Sequence, residues 1–106
     1  MARIVALAPD LFFATKIEET LTSAGHDVTI LAGSEALPAD AELVIVDLDQ
    51  VTPAIEPSAT APILAFYSHV DVETRRRGEE AGFDLVVPRS RMAREMPELV
   101  DRLLGR

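Results

Sequence analysis

The run LVIVDLDQ (43–50) ends four aliphatic residues in two carboxylates, Asp47 and Asp49, set one residue apart. An acid at the end of so apolar a run has four chemical uses. It can accept a phosphoryl group, hold a hard cation, cap a turn, or form half of an ion pair. A second concentration of reactive side chains comes from two separate stretches, Ser68, His69 and Asp71 in one and Arg89, Ser90 and Arg91 in the other. Hydroxyls, an imidazole and guanidiniums close to helix starts suit a phosphate- or carboxylate-bearing ligand. The structural alternative is that Ser68 or Asp71 and Ser90 are helix caps and the arginines are solvated. There is no cysteine, and the two histidines, His26 and His69, are far apart in the chain. Metal chemistry would therefore use oxygen ligands, for which Asp10 and Asp47 are the weak candidates. No acid–histidine–nucleophile constellation is legible, so no enzyme is expected.

These residues are positioned by alternating strand and helix signals. RIVALA (3–8) is a short continuous aliphatic run, the pattern of a strand buried on both faces. In PDLFFATKIEETLTSAG (9–25) the spacing turns helical. Phe13, Ile17, Leu21 and Ala24 share a stripe, Asp10 is placed to cap and Gly25 to stop the helix. Strands follow at 26–32, 43–47, 63–67 and 83–87. Between the third and fourth of these, Pro53, Pro57 and Pro62 break regular helix, so the crossover over 50–61 is expected to carry a short helix or none. A polar helix is expected over 68–82, with Arg75 to Arg77 on a solvated face. The last helix buries Met92, Met96, Leu99, Val100, Leu103 and Leu104, with Pro97 in its first turn. By strand alternation only one of Phe66 and Tyr67 is expected to be purely a packing residue.

Five strands joined by helical crossovers predict a single α/β domain over 1–106, its parallel sheet covered on both faces. Such sheets bind ligands at the carboxyl ends of their strands, here Ala8 to Asp10, Asp47 and Asp49, Tyr67 to Asp71, and Pro88 to Arg91. The opening carboxylates lie on that edge. With 48% hydrophobic and 26% charged residues the chain reads as one compact soluble unit. Ile4 to Ala8 is too short an apolar stretch for a signal peptide or membrane span, which places the protein in the cytoplasm and off the membrane. The net charge of −8 argues against nucleic acid as a partner. The charge is uneven: residues 1–74 hold Arg3 and Lys16 against twelve acids, and residues 75–106 hold eight arginines against six. The C-terminal third is therefore locally basic.

SAGHDVTILAG, ELVIVDLDQ, PILAFYSHVD and EEAGFDLVV together resemble successive segments of response-regulator receiver (CheY-like) domains, over nearly the whole chain. The resemblance implies a flavodoxin-like three-layer sandwich with strand order 2-1-3-4-5 and the third helix short or missing. It places Asp47 at the phosphoacceptor position, Tyr67 with Ser68 at the switch position, and Arg89 at the position of the lysine after the fifth strand. The proline that follows that lysine is replaced by Ser90. Where receivers carry the acidic pair that holds Mg²⁺, this chain has Ala8 and Pro9, with Asp10 one step later. A site with so few carboxylates should bind Mg²⁺ poorly, and Arg89 is suited to pair with Asp47 in the metal's stead. The leading expectation is an atypical stand-alone receiver that acts as a protein-interaction module in bacterial-type signal transduction, with no cofactor and no output domain after Arg106. A homodimer is compatible with it. Two alternatives stand beside it. One is a phosphorelay receiver with Asp47 as phosphoacceptor, the one case that calls for Mg²⁺. The other is an anion-binding protein using His69, Arg89, Ser90 and Arg91.

Overall fold

The computed structural model describes residues 2–31, 40–48, 61–67 and 83–105. Strands β1 (Arg3–Leu7), β2 (Asp27–Leu31), β3 (Leu43–Asp47), β4 (Ile63–Tyr67) and β5 (Leu85–Pro88) pair in parallel in the order β2-β1-β3-β4-β5. This is the expected order. The inner strands β3 and β4, apolar except for Asp47 and the Tyr67 hydroxyl, are buried at every position, whereas the edge strand β2 holds only exposed and half-buried residues. That contrast is what a parallel sheet with apolar cover on both faces requires.

Helix α1 (Leu11–Ser23) starts where expected because the Asp10 carboxylate accepts from the Phe12 and Phe13 backbone N–H groups at 3.0 and 3.4 Å. It ends in a Schellman arrangement. The Gly25 N–H donates to the Thr22 carbonyl and the His26 N–H to the Leu21 carbonyl, both at 3.0 Å, with Gly25 at φ +93°. The His26 side chain then serves the fold: buried, it accepts through Nδ1 from the Ala2 N–H at 3.2 Å and joins the starts of β1 and β2.

Helix α2 (Arg89–Leu103) packs with α1 on one face of the sheet. Phe13, Ile17 and Leu21 of α1 and Met92, Met96, Leu99 and Val100 of α2 meet Ile4, Ala6, Ile45, Leu64, Phe66 and Val87 there. Leu103 and Leu104 pack at the margin of that core. Val5, Leu7, Val44, Val46, Ile63, Ala65 and Tyr67 belong to a second core on the opposite face, joined by Phe83.

β1 ends at Leu7 rather than 8 and β2 begins at Asp27 rather than 26, and two further differences from the sequence reading have a visible cause. β5 begins at Leu85 rather than 83, because the Asp84 carboxylate takes the Ile63 N–H at 2.8 Å and so occupies the place of a ladder partner at the start of β4. Regular pairing starts one step later, at Leu64 with Leu85. α2 begins at Arg89, well before Pro97, but its backbone breaks at Glu95 (φ −119°, ψ 18°). Pro97 therefore lies in the first turn of the segment after the break, where its missing N–H leaves no helical bond unmade. Phe66 and Tyr67 are both core residues, 0% and 7% exposed, on opposite faces. Covered on both sides, the strand has no solvent face to give to either. The expected crossover over 50–61, apart from Ala61, and the helix over 68–82 lie outside the described residues.

Candidate functional site

The carboxyl edge of the sheet brings Asp10, Asp47 and Arg89 into one neighbourhood. Asp47 ends β3 and pairs in register with Phe66, which in turn pairs with Val87. Ala8 follows the Leu7–Val46 pair and so lies on the other side of Asp47. Alternation along β3 puts Asp47 on the face of Leu43 and Ile45, which is the α1/α2 face. Asp47 is 1% exposed there, which for a carboxylate is unusual burial.

Asp10 and Arg89 each lie two residues beyond this row, Asp10 past Ala8 and Arg89 past Val87. The strands they follow are separated by β3 and β4, a span of roughly 14 Å at ordinary strand spacing. The two side chains close it. Arg89 Nη2 donates to Asp10 Oδ2 at 2.8 Å, both residues being about two-thirds shielded from solvent. The Arg89 guanidinium carbon lies 4.3 Å from the centroid of the Phe13 ring, and that ring contacts Phe66 with centroids 4.7 Å apart. A cation over an aromatic face, seated on a second ring from β4, holds the arginine in one place.

Arg89 thus pairs with Asp10 and not, as the sequence had suggested, with Asp47. The reason is helical geometry. Asp10 caps α1 and Phe13 lies within that helix's first turn, so cap and ring are presented together to a side chain arriving from the start of α2.

The hydrogen bond from Arg89 lowers the Asp10 pKa from its ordinary 3.8, against some desolvation, and the Phe13 and Phe12 N–H groups and the arginine's charge add to the lowering. A depressed carboxyl pKa favours the folded state above the unfolded value, and that contribution disappears as the pH falls through the folded pKa. At neutral pH the pair is fully formed. Carboxyl-carbon NMR is expected to show Asp10 titrating below 3.8 and moving back toward it in Arg89→Ala. An Asp10 titration that Arg89→Ala leaves in place would contradict the pairing.

The remaining sequence candidates divide. Tyr67, which the resemblance had placed at the switch position, belongs to the opposite core and faces away from Asp47. Ser90 is exposed in the first turn of α2, whose N-cap is Pro88 without a side-chain cap bond. Arg91 is 3.5 Å from Glu95, an i,i+4 pair on the same helix. Ser68, His69, Asp71, Asp49 and Arg75 to Arg77 lie outside the described residues. The sequence reading named Asp10, Phe13 and Arg89 but missed their assembly, for which only the cap signal at Asp10 and the buried stripe through Phe13 gave any sign.

Magnesium does not fit the side chains described at this edge. Ala8 and Pro9 offer no oxygen ligands, and both Asp10 oxygens are engaged, Oδ1 by helix N–H groups and Oδ2 by Arg89. Among the described residues no three acidic or histidine side chains converge on a common point. A further polar cluster among the described residues is at the opposite end of the sheet, where Ala2, Arg3, Asp27, Asp40 and Glu42 line a depression of about 180 Å³. Arg3 spans it, bonded to Asp40 and 3.6 Å from Asp27.

No protein-family profile matches the chain. No curated relative matches it either. Solved structures do. A BeF₃-activated DrrB receiver domain superimposes with TM-score 0.80 at 21% identity, covering 100% of this chain and 99% of that one. CheY4 of Vibrio cholerae gives 0.80 at 18%, covering 97% and 98%. The non-phosphorylated HemR receiver domain of Leptospira biflexa gives 0.79 at 18%, covering 100% and 96%. Full-length superposition at such low identity, with the same strand order, shows that this chain has the flavodoxin-like fold of CheY-like response-regulator receiver domains.

Proposed function

We propose that this chain works as an atypical receiver module in bacterial-type signal transduction, binding a protein partner without accepting a phosphoryl group. The observation that carries the reading is the bond from Arg89 to Asp10. In a phosphoryl-accepting site, metal and lysine neutralise the charge that builds on the transferred group. Here the arginine at the lysine position is spent on the acid nearest the metal position, and Asp47 is covered. The charge of Arg89 is permanent, so the pair persists across the physiological pH range. Such a site is not switched by phosphoryl transfer, and output must come from contacts of the domain surface. The acidic surplus argues against nucleic acid as that partner. Among the described residues no helix is long and apolar enough to cross a membrane, which accords with action in the cytoplasm.

A second reading, phosphorelay through Asp47, draws support from the place of that residue at the end of β3, in a fold shared with a BeF₃-activated receiver. Incubation with acetyl phosphate and Mg²⁺, followed by intact-mass measurement, separates the two. The expected result is no phosphoryl adduct, and no amide shifts on titration with Mg²⁺ and beryllofluoride. A substantial adduct that vanishes in Asp47→Asn would establish the phosphorelay reading instead.

A further inference from the structure

We infer that the Asp10–Arg89 bridge, with the Phe13 ring beneath it, is a strap that closes the carboxyl edge of the sheet over Asp47 and controls access to that carboxylate. The inference rests on the reading that Asp47 sits at a fixed site, and it names what fixes it. Three observations converge. The bridge joins residues beyond β1 and β5, so it passes the ends of β3 and β4, where Asp47 and Phe66 lie. The aromatic stack under the guanidinium runs from Phe13 to Phe66, the residue in register with Asp47 and on its face of the sheet. Asp47 is 1% exposed, while the two charged ends of the strap remain about 30% accessible and open to competition from solvent ions.

A strap of this kind opens by a side-chain movement and not by unfolding. Separating Arg89 from Asp10 frees the guanidinium from the row above Asp47, while both helices keep their packing through Ile17, Leu21, Met92 and Met96. Access to Asp47 is then set by the ion pair rather than by global stability.

Carboxylate labelling by carbodiimide and glycinamide, read by peptide mass mapping, tests this, with exposed Asp101 as internal reference. In the unaltered protein Asp47 should label far more slowly than Asp101. Arg89→Ala should raise the Asp47 rate about tenfold relative to Asp101, as expected when a local barrier of a single ion pair is removed. Phe13→Leu, which keeps apolar volume but removes the aromatic face, should raise it by a smaller factor. Raising sodium chloride should accelerate Asp47 labelling in the unaltered chain and leave Arg89→Ala unchanged, which provides a readout that needs no variant to fold. An Asp47 rate indifferent to salt and to both substitutions would overturn the strap. The acetyl phosphate experiment is independent of this one: an adduct on the unaltered protein would sink the proposed function and leave an Arg89-dependent labelling rate standing.

Discussion

Phe13→Ala is expected to lower the unfolding free energy by about 3–5 kcal/mol, the usual cost of deleting a buried phenyl ring. Phe13 is 6% exposed, lies against Phe66 of β4, and carries the Arg89 guanidinium on its outer face. Its removal leaves a void between α1 and the sheet and withdraws the surface on which the arginine rests. Against a total stability of about 5–15 kcal/mol for a domain of this kind, the loss is a third or more. Urea unfolding monitored by circular dichroism measures it. Phe13→Leu keeps most of the volume and should cost less than about 1.5 kcal/mol. Combining Phe13→Ala with Arg89→Ala isolates the ring–cation contact, expected to couple by about 0.5–1 kcal/mol at a partly exposed position. A cost below that of Phe13→Leu would mean the ring is not part of the core that α1 presents to the sheet.

Met96→Ala is expected to cost about 2–5 kcal/mol, whereas Pro97→Ala, one residue along, should change stability by less than about 1 kcal/mol. Met96 is fully buried on the α1/α2 face, and truncating it opens a cavity beneath the helix. Pro97 looks the more disruptive residue on paper, since a proline in an unbroken helix costs about 3 kcal/mol relative to alanine. The break at Glu95 removes that penalty in advance by placing Pro97 in an initial turn. Denaturant midpoints of the two variants decide the matter. A Pro97→Ala protein stabilised by several kcal/mol would mean the helix is continuous in solution and strained by its proline.

Most of the architecture could be read from the chain because it depends on local patterns. β3 (Leu43–Asp47) and β4 (Ile63–Tyr67) have the bounds expected from their apolar runs, since a strand buried on both faces reads as a nearly continuous apolar stretch, here closed by Asp47 in β3. α1 was legible at both ends because its start and stop are set by residues within a few positions of each other: Asp10 reaches N–H groups two and three residues on, and Gly25 takes the positive φ that closes the helix. The strand order followed from chaining parallel strands through crossovers, together with the resemblance to receiver domains. Errors arose where a side chain competes with the backbone, as at Asp84, which delays β5 by taking a ladder position.

The candidate site was different. The sequence named Asp10, Asp47 and Arg89 and placed all three on the carboxyl edge, because position along a strand is local information. It paired Arg89 with Asp47, on charge and on the positions that the resemblance to receiver domains gives the two residues. Which carboxylate receives the guanidinium depends on groups 79 residues apart being brought together by two helices packing on one face of the sheet. Asp10 is held at the helix start by backbone N–H groups with one oxygen turned to Arg89, and Phe13 offers a ring directly beneath. Charge alone does not distinguish two acids on the same edge. The tertiary packing does, because it fixes the direction from which the arginine arrives and the surface over which it lies.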